Sequence, residues 1–235
     1  MNAFDSEILS FVNQFSQHSW MFDRLIGFLA TNPLLKGGVL ATILWWAWFK
    51  REKHPSHNHE YIILTLFSCL VAELLARILA LTLPFRFRPL HEEALHFLLP
   101  YGITPNLLEG WSSFPSDHAV LFFTLSTGLL FISRKAGVFA LLYSTVFIAF
   151  PRVYLGKHYP TDIIAGAMIG ITVTLIANIY FVKNKNIQAI VNLSKSMPNL
   201  FYPLFFLFTY SIASMFEDSR ALVYLVFELI HAMVT

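Results

Sequence analysis

The stretch Asp162-Ile-Ile-Ala-Gly-Ala-Met-Ile-Gly-Ile-Thr-Val-Thr-Leu-Ile-Ala-Asn-Ile-Tyr-Phe-Val182 decides the fold. A bilayer core about 30 Å thick needs roughly 20 apolar residues to be crossed by one helix, and this run supplies them. Gly166 and Gly170 stand four apart within it, the spacing that lets a second helix approach closely. Working outward, residues 137–150 form a shorter apolar run extendable to Tyr154, and residues 118–132, 61–83 and 33–49 form three more. The run 33–49 ends in Trp45, Trp46 and Trp48, whose rings prefer the headgroup level. Toward the C-terminus, residues 200–216 read as a sixth span. Residues 221–235 fit either an interfacial segment or a short tilted crossing.

Residues 4–15 place Phe4, Ile8, Leu9, Phe11, Val12 and Phe15 at helical spacing, with Asp5, Ser6, Asn13 and Gln14 elsewhere, the pattern of an amphipathic helix lying along the interface. The expected fold is all-α, a polytopic membrane helical bundle of five to six spans plus this N-terminal helix. It is read as one domain, 1–235, with a core at about 60–182 and a C-terminal helical extension over 183–235.

Composition agrees. Of 235 residues, 56% are hydrophobic and 13% charged, and the mean hydropathy is +0.60, far too apolar for an ordinary soluble domain of this size. The formal charge of +2 and the short clusters of Lys and Arg exclude a nucleic-acid-binding face. The single cysteine, Cys69, leaves no intrachain disulfide and no thiol cluster for zinc. Asn2, Asp5 and Glu7 at the start do not read as a cleavable signal peptide. The sequence leaves the oligomeric state open.

Charge in the short loops sets orientation. Lys50, Arg51 and Lys53 follow the run 33–49, Arg134 and Lys135 follow 118–132, and Lys183 and Lys185 follow 162–182, so these loops are expected in the cytoplasm. Residues 84–117 and 151–161 then share the extracytoplasmic face and carry most of the polar residues with chemical potential. Arg86, Arg88, Arg152 and Lys157 run against the usual bias on that face, which points to a bound anion.

Three segments concentrate the chemistry: Arg86-Phe-Arg88-Pro89, Phe114-Pro-Ser116-Asp117-His118, and Arg152 to Asp162. With a helix starting near Pro160, Asp162 falls in its first turn, where a carboxylate is favoured and can accept the ring N–H of His158. His158 then offers its other nitrogen to phosphorus as a nucleophile, giving a phosphohistidine. Arg88 and Arg152 supply guanidinium forks that match phosphate oxygens. Ser116 leads into a helix whose first N–H groups lack partners and can bind an anion. His118 is placed to protonate the leaving oxygen and then to activate water. The scheme requires no metal and no cofactor.

These residues resemble the type 2 phosphatidic acid phosphatase superfamily, whose signatures are Lys-x6-Arg-Pro, Pro-Ser-Gly-His and Ser-Arg-x5-His-x3-Asp. The resemblance implies a membrane phosphatase in which His158 is the nucleophile, His118 the acid and Asp162 the orienter, with Arg88, Arg152 and Ser116 on phosphate. Asp117 stands where the family has glycine, Pro151 where it has serine, and Leu81 where it has lysine. Asp117, Arg86 and Lys157 are therefore carried as further substrate-side residues, Arg86 or Lys157 replacing the lost cation. Phe-Pro-Ser-Asp-His is similar to the bacterial undecaprenyl diphosphate phosphatase branch, which implies a bacterial inner membrane and undecaprenyl diphosphate as substrate. Phosphatidylglycerophosphate, phosphatidate, a lipid A phosphate, or phosphoryl transfer to another lipid are the alternatives. A catalytically silent lipid-phosphate-binding protein is the non-enzyme alternative.

Other polar residues read blandly. His91, His96 and His231 are expected at the interface and Glu92 and Glu93 in solvent. Arg86 has two readings, a phosphate ligand or a loop cation. Glu73 and Arg77, four apart, are expected to form an intramembrane ion pair, with Arg77 too deep to reach a headgroup phosphate; the other reading has Arg77 replacing the missing lysine.

Overall fold

The structure is a computed structural model that describes residues 2–50 and 57–219, with residues 221–223, 225 and 228 beyond them. Arg51, Lys53, His231 and most of the segment 221–235 lie outside the described residues.

Ten α-helices are described, and the described residues contain no strand. α1 (Ala3–Asn13) is the interfacial helix that the amphipathic pattern predicts, capped by the Asn2 side chain on the Asp5 N–H. α2 (Trp20–Thr31) was not anticipated by the search for long apolar runs. It is a 12-residue amphipathic helix capped by Ser19. Pro33 breaks it from a π-helical stretch (Leu34–Gly38) that continues into α3 (Val39–Phe49). The helices on either side of the break meet at 65°, so they count as one span only if the bend is allowed.

α4 (Asn58–Thr82), the combined helix Arg134–Tyr154 and α8 (Pro160–Phe181) are each long and apolar enough to cross a membrane. The combined helix is α6 (Arg134–Tyr143) and α7 (Phe150–Tyr154) joined by a π-helical stretch (Ser144–Ala149). α5 (Asp117–Ile132) is only 16 residues long, yet it forms the axis of the bundle, with ten of its residues buried against α4, α6 and α8. A central helix need not meet lipid along its whole length. The linker to α10 (Pro198–Ala213) is α9 (Lys185–Ser196), a separate helix within the helical extension expected over 183–235.

Close packing follows the small residues. A Cβ on Gly166 would come within 2.5 Å of the Ser116 carbonyl oxygen, and one on Gly170 within 2.3 Å of that of Val120. The two glycines thus let α8 lie directly on the α5 backbone, as their spacing predicts. The outer surface is apolar: Leu74, Leu81, Met168 and Tyr180 are all more than 60% exposed, which water would penalise and lipid tails do not.

Candidate active site

The C-terminal end of α4, the N-terminal ends of α5 and α8, and the end of α7 converge at one end of the bundle. They enclose a cavity of about 430 Å³ lined by Arg77, Arg88, Trp111, Asp117, His118, Arg152, Lys157 and His158, together with Lys36 and Glu217. Six of the nine site residues singled out in the sequence line it. Arg86, Ser116 and Asp162 do not, and each has a physical reason.

His158 sits in the α7–α8 loop and is almost fully buried. Its Nδ1 lies 2.8 Å from the Ser113 carbonyl oxygen. A carbonyl can only accept, so Nδ1 carries the proton and Nε2 keeps its lone pair. Arg88 Nη1 donates to that Nε2 at 3.2 Å. Burial pushes the His158 pKa below the ordinary histidine range, while its contact with Asp162 pulls the other way, so the ring is neutral at pH 7. The free base is the form a nucleophile needs.

The expected hydrogen bond from His158 to Asp162 is replaced by this carbonyl. Asp162 Oδ2 stands 3.7 Å from Nδ1, an electrostatic neighbour rather than a hydrogen-bond partner. Its carboxylate is engaged elsewhere: it caps α8 on the Tyr159 N–H at 2.8 Å, and accepts from Ser113 Oγ and Arg86 Nη1. A further bond, Ser116 N–H to the Asp162 carbonyl at 3.2 Å, keeps the Ser113–Ser116 segment beside the α8 start.

Arg86 is likewise corrected from phosphate ligand to brace. Its guanidinium donates to Asp5 Oδ2 at 2.7 Å as well as to Asp162, and stacks over the Tyr159 ring at 4.0 Å. Two buried carboxylates hold it outside the cavity. Asp5, with no exposed surface, also accepts from the Thr161 N–H and hydroxyl, which ties α1 to the first turn of α8.

At the α5 start, the Ser116 hydroxyl accepts from the Ala119 N–H as an N-cap and has no exposed surface. Asp117 Oδ1 accepts from the His118 N–H at 2.9 Å and lies 3.0 Å from His118 Nδ1. The anion-binding helix start expected here is therefore occupied by the chain's own side chains. Asp117 lines the cavity, but as the partner of His118 instead of a phosphate ligand, since a carboxylate repels phosphate. His118 is left with Nε2 toward the cavity, buried and with no partner among the described residues.

The cations are held by backbone carbonyls. Arg88 donates to the Lys157, Ser112 and Trp111 carbonyl oxygens at 2.6, 3.2 and 3.2 Å. Arg152 donates from Nη2 to the Ala30 carbonyl of α2 at 2.9 Å, and its buried Nε has no partner among the described residues. Lys157, 4% exposed, has its pKa pushed down to about 7, first by burial and then by Arg152.

Arg77 also faces the cavity, its guanidinium 5.2 Å from the Trp111 ring centroid. The expectation that it lies too deep is corrected, because it lines the same cavity as Asp117 and His118 at the α5 start. Leu81, at the position of the family lysine, is 79% exposed on the outside of α4. The lost lysine is thus one helical turn away from the residue that supplies a cation from this helix.

The model of the PAP2 superfamily matches residues 61–186. The chain belongs to the PAP2 superfamily. It is a membrane phosphatase of that superfamily, built on the helices described above. Among curated relatives, it is 26% identical over 166 residues to the bacitracin transport permease protein BcrC of Bacillus licheniformis, covering 68% of this chain and 72% of that protein. It is 24% identical over 167 residues to the undecaprenyl-diphosphatase BcrC of Bacillus subtilis, covering 71% and 79%. The crystal structure of Aquifex aeolicus LpxE aligns over 74% of this chain and 94% of its own, at 25% identity and a TM-score of 0.49.

Sequence reading missed Ser113, Asp5, Lys36 and Glu217. Lys36 alone carried a usable signal, as a charge inside the apolar run 33–49, where ionisable residues are costly. Ser113 acts through its carbonyl, which any residue supplies, so no side-chain pattern marks it.

Proposed function

We propose that this PAP2 phosphatase removes the terminal phosphate of undecaprenyl diphosphate at the extracytoplasmic face of a bacterial inner membrane. The observation that carries the reading is the pairing of an unprotonated, buried His158 Nε2 with a second buried ring nitrogen, His118 Nε2, in one cation-lined cavity. The relative named an undecaprenyl-diphosphatase, similar over most of both chains, supports the substrate. Arg134, Lys135, Lys183 and Lys185, at helix ends opposite the cavity, support the assignment of its face.

His158 Nε2 attacks the terminal phosphorus while Arg88, Arg152 and Lys157 neutralise the charge gathering on the equatorial oxygens. The bond to the bridging oxygen breaks, and His118, which takes up a second ring proton as the anionic substrate enters, delivers it from Nε2 to that oxygen. Asp117 holds the His118 ring by Nδ1 through the proton transfer. His118, now neutral, takes a proton from water, which attacks the phosphohistidine and releases inorganic phosphate. An apolar groove lined by Leu70, Leu74, Leu121, Met215 and Phe216 shares Arg77 and Asp117 with the cavity, and gives the lipid chain a path toward the bilayer.

Phosphate release in detergent from undecaprenyl diphosphate, phosphatidylglycerophosphate, phosphatidate and lipid A, with wild type and His158→Ala, tests the reading. The expected result is fastest turnover of the diphosphate and none by the variant. Turnover surviving in His158→Ala would remove the nucleophile assignment, and preference for a monophosphate would remove the substrate.

A further inference from the structure

The transferred phosphoryl group is already served by Arg88, Arg152 and Lys157, yet a further cation enters the cavity from outside the PAP2 region. Lys36 is 2% exposed and is the one buried cation among the described residues before α4. It comes from the π-helical stretch after the Pro33 break, and its Nζ donates to Glu217 Oε1 at 3.1 Å. Both residues line the same cavity as the two histidines.

The backbone is arranged to bring this pair there. A Cβ on Gly37 would come within 2.1 Å of the Ala213 carbonyl oxygen, so the Lys36 segment lies directly on the end of α10. Beyond Ala213, Met215 and Phe216 both adopt left-handed backbone angles, φ 55° and 57°, uncommon for residues of this bulk, and reverse the chain so that Glu217 meets Lys36.

Neither residue is explained by packing. Five Lys and Arg side chains face two carboxylates around this cavity. Lys36 adds repulsion against Arg152 and Lys157 that Glu217, half exposed, offsets only in part. A membrane protein retains such a charge for a ligand. A phosphate monoester carries about −1.5 to −2 near neutrality, and a diphosphate carries more. Lys36 lies within electrostatic reach of His118, the group assigned to the leaving oxygen. Arg88, bonded to His158 Nε2, stands with the transferred group, so a cation brought into the same cavity by a separate segment is left for the phosphate that stays on the lipid.

We propose that Lys36, positioned by Glu217, binds the phosphate that remains on the lipid and makes the cavity selective for diphosphates over monophosphates. The inference rests on the phosphatase reading above. As the bond between the bridging oxygen and the terminal phosphorus breaks, the electron pair stays on the bridging oxygen, which belongs to the departing lipid monophosphate. His118 protonates that oxygen and Lys36 holds the remaining charge. Water then restores His158, so the sum is lipid diphosphate plus water giving lipid monophosphate plus inorganic phosphate.

The test uses full-length protein in detergent with two soluble probes, methylenediphosphonate, which cannot be hydrolysed at its bridge, and inorganic phosphate. Lys36→Met is expected to weaken methylenediphosphonate binding about 30-fold and phosphate binding less than threefold, with Lys36→Arg recovering most of the loss. Equal weakening of both probes, or of neither, overturns the proposal. Should Lys36→Met fail to fold, Glu217→Gln decides: its amide oxygen still accepts from Lys36 Nζ and keeps the side chain in place while the counter-charge is removed, so Lys36 should hold methylenediphosphonate at least threefold more tightly, and unchanged or weaker binding overturns the proposal. Measuring binding in the His158→Ala background separates the two readings, because selective loss there persists even if His158 proves not to be the nucleophile.

Discussion

Asp162→Asn asks what holds the nucleophile. The carboxylate lies 3.7 Å from His158 Nδ1, but the ring N–H is taken by the Ser113 carbonyl, which the substitution leaves in place. The tautomer should therefore survive. What is lost is the negative charge that steadies the ring as it becomes cationic on attack. A full unit charge at 3.7 Å is worth about 4.5 kcal/mol at an effective dielectric of about 20. Arg86, bonded to the same carboxylate, cancels part of this, leaving roughly 2 kcal/mol, or about 30-fold in kcat. Asparagine can keep the Tyr159 and Ser113 bonds through its oxygen, but it turns an amide N–H toward Arg86, which retains Asp5 and the Thr161 hydroxyl. Losing one charge-assisted bond costs about 1.5–3 kcal/mol of stability, or about 3–10 °C in Tm for a chain of this size. The assay is kcat from phosphate release beside the thermal midpoint in detergent. Removing the group that raises the His158 pKa should also move the acid limb of kcat/KM to lower pH. A loss near 10⁴-fold with an unchanged midpoint would refute the reasoning, because that is the signature of a wrong tautomer.

Lys157 and the family-lysine position give two more expectations. With a pKa near 7, Lys157 is charged below that pH and loses its charge as pH rises through it, so kcat/KM should fall above pH 7; Lys157→Met should remove this limb and lower kcat/KM about tenfold at pH 6. A flat profile from pH 6 to 8.5 in wild type would contradict the placement of this cation. Arg77→Met should cost at least tenfold in kcat/KM, whereas Leu81→Lys should leave turnover within twofold because that side chain points to lipid. A marked gain from Leu81→Lys would show that the missing cation limits the rate.

The helices of the catalytic core were legible because a bilayer imposes a length and an apolar composition on any helix that crosses it. α4, α8 and the combined helix Arg134–Tyr154 meet both conditions. α2 and α9 do not stand out as long apolar runs; like α1 they are short amphipathic helices, marked only by apolar residues at helical spacing. The site divides along the same line. That His118, His158, Arg88 and Arg152 meet was readable from residue type at fixed spacing, because local helix starts place these side chains around one cavity. Their partners were not readable where the partner is a carbonyl, as with Ser113 and Ala30, or a residue distant in sequence, as with Asp5 and Glu217. Spacing also misassigned Arg86: two residues from Arg88, it lies on the other side of an extended segment, where Asp5 and Asp162 hold it.

These long-range partners share an origin. Asp5, Ala30 and Lys36 precede the region 61–186 that defines the superfamily, and Glu217 follows it. In the proposed reaction the motifs supply the nucleophile, the acid and the cations for one phosphoryl group. The flanking helices fix how those groups are held and what else the cavity contains. α1 fastens Arg86 and, through it, Asp162; α2 fastens Arg152; and the α2–α3 break with the chain after α10 introduces the Lys36–Glu217 pair. The reaction thus belongs to the shared core, while selection among phosphorylated lipids is placed where the flanking segments close the cavity.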